Sequence, residues 1–336
     1  MPSQAQFAYV ANADSGNISA YRIDANGSLA PVPGSPFVAG VEPFCVLVDA
    51  MGRFAYAANF SGNNVSVYRI GSNGALGSVS GSPFETGSAP IALGSDRMAR
   101  FIYVANSGDN NISAFAIGSN GALIPVPGTP FAAGSAPVSV AVDPTARFAY
   151  VANKISNNVS AYRIGPNGSL TPVSGSPFAG GARPHSIAID STARFVFVTN
   201  EGGDSISAYR IELTGSLAPI SGSPFSAGSD PVGLAVDPLG RFLFVANRGS
   251  NDISAYSIGP DGVLTPVPGS PFTGTDEPVS VAVDPSARFA YALSRAGKNV
   301  SAYSIGSNGA LTLVPGSLLT AGIEPASIAV TWSTLK

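Results

Sequence analysis

The chain carries a single histidine, His185, and sixteen positions further on stands Glu201. An imidazole and a carboxylate that meet form a general acid–base pair, and cations beside them can hold a developing oxyanion. The spacing of Arg248, Lys154, Arg183 and Arg295 makes them candidates for that second task. The chemistry such a set could support is the opening of an ester-like carbonyl by water, with Glu201 or His185 as base. Other chemistries find no residues. The sequence has no Gly-x-Ser-x-Gly elbow and no phosphate-binding Gly-Lys-Ser/Thr loop. One cysteine, Cys45, excludes an intramolecular disulfide, and with one histidine it excludes a zinc site built from those two residue types. No metal and no cofactor are expected. A net charge of −3 without a basic stripe argues against nucleic acid.

The elements that must position these residues are set by a repeat. Phenylalanines at Phe7, Phe54, Phe101, Phe148, Phe195, Phe242 and Phe289 recur every 47 residues without insertion or deletion. Each unit reads as four short apolar segments, which in the fourth unit are residues 148–153, 158–164 and 169–178, then residues 185–190 leading into the next. Asn-Gly at Asn26, Asn73, Asn120, Asn167 and Asn308 supplies the positive φ of a tight turn. Four antiparallel strands repeated seven times, with no helical period, specify an all-β, seven-bladed β-propeller. Residues 326–331 form a first-type strand with almost nothing after it. This C-terminal strand is expected to join the three N-terminal strands and close the ring, removing two sheet edges.

Composition agrees with this fold. With 39 Gly and 28 Pro but 45% hydrophobic content, the chain is turn-rich and still able to build a core. The unbroken repeat makes residues 1–336 one domain, expected to be monomeric. No apolar run approaches the roughly 18 residues of a membrane helix. Residues 1–6 are too short and polar for a signal peptide, which leaves the bacterial cytoplasm or export with the signal already removed.

Most repeated residues read as structure. The leading phenylalanines, the tyrosines of Ser-Ala-Tyr and the phenylalanines of Gly-Ser-Pro-Phe suit packing between blades, and the Asp143–Arg147 and Asp190–Arg194 pairs suit hairpin turns. Two positions vary instead. The residue after the second strand is Ala13, Phe60, Ser107, Lys154, Glu201, Arg248 or Arg295, and the residues around the proline before each first strand include Phe44, Ile91, Arg183 and His185. Both sets fall on one face of the disc, at the channel mouth. His185 is expected across from Glu201 or Asn200, with Lys154, Arg248 and Arg295 on adjacent blades and an apolar half carrying Phe44 and Phe60. Such a concave, half-polar rim suits a small ligand, expected to be anionic or a cyclic ester. Glu201 is expected to be an exposed carboxylate of little consequence for stability, and to raise the pKa of His185 above about 6.5.

The runs Phe-Ala-Tyr-Val-Ala-Asn and Phe-Val-Phe-Val-Thr-Asn, followed by Ile-Ser-Ala-Tyr, resemble the YVTN-type propellers of the lactonase family over the whole chain. The resemblance implies a site with a Gly-Pro-Arg-His motif, a Glu sixteen residues after that Arg, an Arg within Asn-Arg-Gly one blade on, and a His in the preceding blade. Glu201 and Arg248, the latter within Asn247-Arg248-Gly249, stand at two of these places. His185 occupies the place of the family's Arg, Ser186 that of its His, and Val138 stands where the other His is implied. Two functions follow: a lactonase-like hydrolase using Glu201, His185 and Arg248, or a non-catalytic propeller that binds a ligand or partner or serves as a scaffold.

Overall fold

The computed structural model describes residues 6–331, which form seven five-stranded sheets arranged as blades. The segments 1–5 and 332–336, which hold most of the N-terminal stretch read above and the basic Lys336, lie outside the described residues. Blades are numbered here by their leading phenylalanine, so that Phe7 belongs to blade 1 and Phe195 to blade 5. In blade 5 the inner strand Pro184–Ile189 pairs with Phe195–Asn200, and that strand pairs with Ser205–Ile211. The outermost segment, read as one run equivalent to residues 169–178 of the fourth unit, is interrupted. It is two short pieces, Leu217–Pro219 and Phe225–Ser226, both pairing with the third strand. Gly222, at φ +84°, and the cis Ser223-Pro224 bond turn the chain between them. The Ser223 hydroxyl there accepts from the Ala208 amide at 2.9 Å.

Ring closure follows the sequence reading. Pro325–Val330 pairs antiparallel with Gln6–Asn12 to supply the inner strand of blade 1. The Thr331 hydroxyl also accepts from the Phe7 amide at 2.9 Å.

From its leading phenylalanine onward the second strand of each blade is buried, because both of its faces lie against neighbouring blades. Seven hydrophobic clusters fill these seams; one joins Phe195, Phe197 and Ile206 of blade 5 to Leu234, Leu243 and Tyr256 of blade 6. The turn glycine of one blade rests on the leading phenylalanine of the preceding one. A Cβ on Gly262 would come within 2.7 Å of the Phe195 ring. Glycine is therefore required twice over, by its φ of +88° and by this approach. The Asp–Arg pairs fix the inner hairpins as read: Asp190 accepts from the amides of Arg194 and Phe195 at 2.6 and 2.7 Å, and the Arg194 guanidinium lies 4.8 Å over the Phe195 ring.

Candidate functional site

The two variable positions of the repeat are held together by the backbone. The residue before each inner-strand proline adopts a left-handed conformation although it is never glycine, as at Arg183 with φ 52°. Such a conformation persists only where its surroundings impose it. Here the Asn157 side chain of the preceding blade accepts the Arg183 N–H at 2.7 Å, and the Arg183 carbonyl accepts the Glu201 N–H at 3.0 Å. The same carbonyl contact joins Ala136 to Lys154, Asp230 to Arg248 and Glu277 to Arg295. Blade 5 differs in continuing into a short 3₁₀ turn, Glu201–Gly203, closed by Asp204 in the left-handed region.

This places Glu201 against Arg183 rather than across from His185. Pro184 pairs with Asn200, and a register shift before Ile187 leaves His185 without a directly opposed residue. Instead Nδ1 of His185 lies 2.8 Å from the Val232 carbonyl of blade 6. A carbonyl only accepts, so Nδ1 carries the proton and Nε2 keeps its lone pair.

Glu201 is not the exposed carboxylate expected from its rim position. Its side chain is 8% accessible, and three cations from three blades converge on it. Lys154 pairs with Oε2, while Arg183 and Arg248 each place Nη2 near Oε1, at 3.3 and 3.2 Å. The chain tucks the carboxylate inward because its residue begins the 3₁₀ turn directly after a buried strand. Burial acts to raise the Glu201 pKa, but the hydrogen bond and charge of Lys154, with His185 and Arg183, outweigh it and hold the carboxyl below its usual range.

His185 also departs from expectation. Burial is the largest influence and Lys154 the next, and together with Arg248 they lower its pKa to about 4 against the opposing pull of Glu201 and the Val232 carbonyl. The half-buried imidazole is neutral at physiological pH because desolvation and the neighbouring Lys154 and Arg248 together outweigh one carboxylate that is already shared among cations.

Arg248 is the hinge of the cluster. Its Nη2 reaches Asp230 at 2.7 Å as well as Glu201, and its Nε lies 2.8 Å from the same Asp230 oxygen. Arg295 stands apart and pairs with Glu324 of blade 1. A cavity of about 420 Å³ separates it from Arg248 and is lined also by Asp230, Asn251, Asp276 and Glu277. Sequence reasoning passed over these acidic residues because it sought cations. The signal was present, since Asp230, Glu277 and Glu324 occupy the same variable position as Arg183. Phe44 and Phe60 do meet, with ring centroids 5.7 Å apart, but they lie in blade 2, three blades round the ring from Glu201. A larger cavity of about 900 Å³ occupies the channel toward the far ends of the inner strands, among aliphatic side chains such as Leu47, Val142 and Ile189. Among the described residues no group of three or more His, Cys, Asp or Glu side chains could hold a metal ion, and no helix is long and apolar enough to cross a membrane.

Comparison with known proteins follows the same line. A search of curated proteins finds no match. Among solved structures, the chain is similar to a putative 6-phosphogluconolactonase from Bacteroides fragilis, at 20% identity, covering 97% of this chain and 98% of that one with a TM-score of 0.85. It is also similar to a periplasmic gluconolactonase of Pseudomonas aeruginosa, at 17% identity over 98% and 99% of the two chains with a TM-score of 0.82. At these identities the likeness establishes the fold. The model of the family described as "Lactonase, 7-bladed beta-propeller" matches residues 1–261 and 213–330, so the chain belongs to the lactonase family of seven-bladed β-propellers.

Proposed function

We propose that the protein hydrolyses a lactone or related cyclic ester at the rim formed by blades 4 to 7. The observation that carries this reading is a neutral imidazole of fixed tautomer, His185, set in the field of cations that Glu201 gathers. In the proposed reaction Nε2 of His185 takes a proton from water as its oxygen bonds to the lactone carbonyl carbon. The N–H donors of Lys154, Arg183 and Arg248 that Glu201 and Asp230 leave open hydrogen-bond the oxyanion, which replaces the carbonyl oxygen in place and brings no counter-charge to be displaced. The ring C–O bond then breaks, its oxygen takes the proton back from the imidazolium, and a hydroxy acid is released. Glu201 acts as the positioning residue for the cations, since its own charge is committed to them.

Membership of the lactonase family supports the reaction class. A propeller serving as a scaffold alone has no use for variable side chains of three blades gathered around one carboxylate. The deciding experiment is a lactone panel assayed with wild type, His185→Gln and Glu201→Gln in parallel. Loss of a general base is expected to lower kcat by about 10²- to 10⁴-fold in His185→Gln. A wild type that opens none of the lactones, or a His185→Gln protein of undiminished rate, would sink the proposal.

A further inference from the structure

We propose that the rim cavity between Arg248 and Arg295 selects an uncharged, polyhydroxylated lactone and disfavours the phosphorylated form of the same compound; this rests on the lactone-opening reading above. The argument is one of charge already spent. Three carboxylates, Asp230, Asp276 and Glu277, line the cavity against two guanidiniums. Neither guanidinium is uncommitted. Arg248 holds Asp230 through Nε and Nη2 and touches Glu201, and Arg295 is paired with Glu324. In the Glu201 cluster and the cavity beside it, Lys154, Arg183, Arg248 and Arg295 face Glu201, Asp230, Asp276, Glu277 and Glu324, while His185 is held neutral. Four cations against five carboxylates leave one net negative charge.

A phosphate needs guanidinium or ammonium donors whose charge is not yet neutralised. To bind here it would have to displace a carboxylate from its arginine and then stand beside the carboxylates that remain, an arrangement of like charges. A sugar hydroxyl meets neither obstacle. It donates to a carboxylate oxygen and accepts from a guanidinium or from Asn251, and a wall of alternating acceptors and donors suits several hydroxyls at once. The cavity, at about 420 Å³, lies within the ordinary size range for a small ligand. The same net charge hastens departure of the product, since ring opening converts the neutral lactone into a carboxylate.

The test compares gluconolactone with its 6-phosphate as substrates, on wild type and on an Asp276→Asn, Glu277→Gln double variant. Wild type should favour the uncharged lactone in kcat/KM by about tenfold or more, and removing two negative charges should narrow that ratio. A wild type that prefers the phosphorylated lactone, or a ratio unmoved by the double variant, overturns the inference while leaving lactone hydrolysis intact. If neither compound is hydrolysed, the function itself is in error for this pair. The charge argument is then decided by titrating wild type with inorganic phosphate while following the His185 imidazole signal. No saturable shift at millimolar phosphate is expected, and saturation below about 1 mM would overturn the inference without reference to activity.

Discussion

Glu201 and Arg183 are joined twice: the Glu201 N–H donates to the Arg183 carbonyl at 3.0 Å, and the Arg183 guanidinium returns to Oε1 of Glu201 at 3.3 Å. The backbone contact recurs in the other blades, whereas the side-chain contact needs opposite charges at the two variable positions, as here and, with the polarity reversed, at Asp230 and Arg248. The contact couples a residue whose side chain is 60% accessible to one that is 8% accessible, so the two ends should respond differently to mutation.

Glu201→Gln is therefore expected to destabilise the protein by about 2 kcal/mol, because three cations lose a shared partner in a partly dry site. Arg183→Ala, which removes the most exposed of the three, should cost no more than about 0.5 kcal/mol. Urea denaturation of the two variants measures both. Equal losses would show that Glu201 is far more solvated than its burial implies.

The seams between blades give a second pair of outcomes. Phe195→Ala should cost about 3 to 5 kcal/mol, the range for deleting a buried aromatic ring. Gly262→Ala, on the adjoining blade, strains a φ of +88° and pushes a methyl group into that same ring. The Phe195→Ala background removes the clash with the ring but neither the closer approach to Ile220, at 2.4 Å, nor the backbone part of the cost. A double-mutant cycle should thus show the glycine substitution to be less harmful when Phe195 is absent. Strict additivity would mean that the ring does not sit on the turn.

The architecture was legible because the repeat is rigid: the 47-residue period, the Asn-Gly turns and the unpartnered terminal strand leave one way to close a ring. The site was legible only in part. Lys154, Arg183, Glu201 and Arg248 were found because they break the repeat at positions the fold brings to one rim. The direction of His185 was not legible, since it depends on the register shift that leaves it unopposed and turned to the Val232 carbonyl. The regular part of the ladder sets Ile187 against Val198 and, continued outward, would set His185 against Asn200; the irregularity before Ile187 instead sets Asn200 against Pro184 and so brings Glu201 to Arg183. The burial of Glu201 was hidden for a related reason. A rim position in sequence says nothing of a 3₁₀ turn that draws its first side chain inward.

Ring closure can be tested by truncation. Ending the chain at residue 322 removes the strand Pro325–Val330 and its pairing with Gln6–Asn12, exposing the edge of blade 1 and opening the seams on either side of it. The truncated protein should lose cooperative unfolding or aggregate, as unpaired strand edges do. Recovery of a monomeric, cooperative fold on adding a peptide of residues 323–336 in trans would identify the loss as that of a strand. A truncated chain as stable as the full one would contradict the closure.

The last prediction concerns pH. Burial and Lys154 hold His185 at a pKa of about 4 in the folded protein, against about 6.5 for an exposed imidazole. Between these values the unfolded chain binds a proton that the folded protein does not, so stability rises with pH across this window. The contribution is complete above about pH 6.5 and is lost as the pH falls toward 4. Its slope is at most about 1.4 kcal/mol per pH unit, reduced by whatever solvent reaches the ring. Glu201, whose carboxyl is also held below its usual value, adds a loss of the same sign, but only once the pH falls through the range in which unfolded carboxylates titrate, about 4.3 and below. The two are separable: His185→Gln should flatten the stability profile between pH 5 and 6.5, and Glu201→Gln should leave that segment in place. NMR titration of the single imidazole gives the folded pKa directly, and replacing Glu201 by Gln should lower it further by removing the one carboxylate that favours the imidazolium. A wild-type midpoint above 6.5 would place His185 in solvent with Glu201 as its dominant neighbour. The neutral base on which the proposed hydrolysis depends would then be lost at mildly acidic pH.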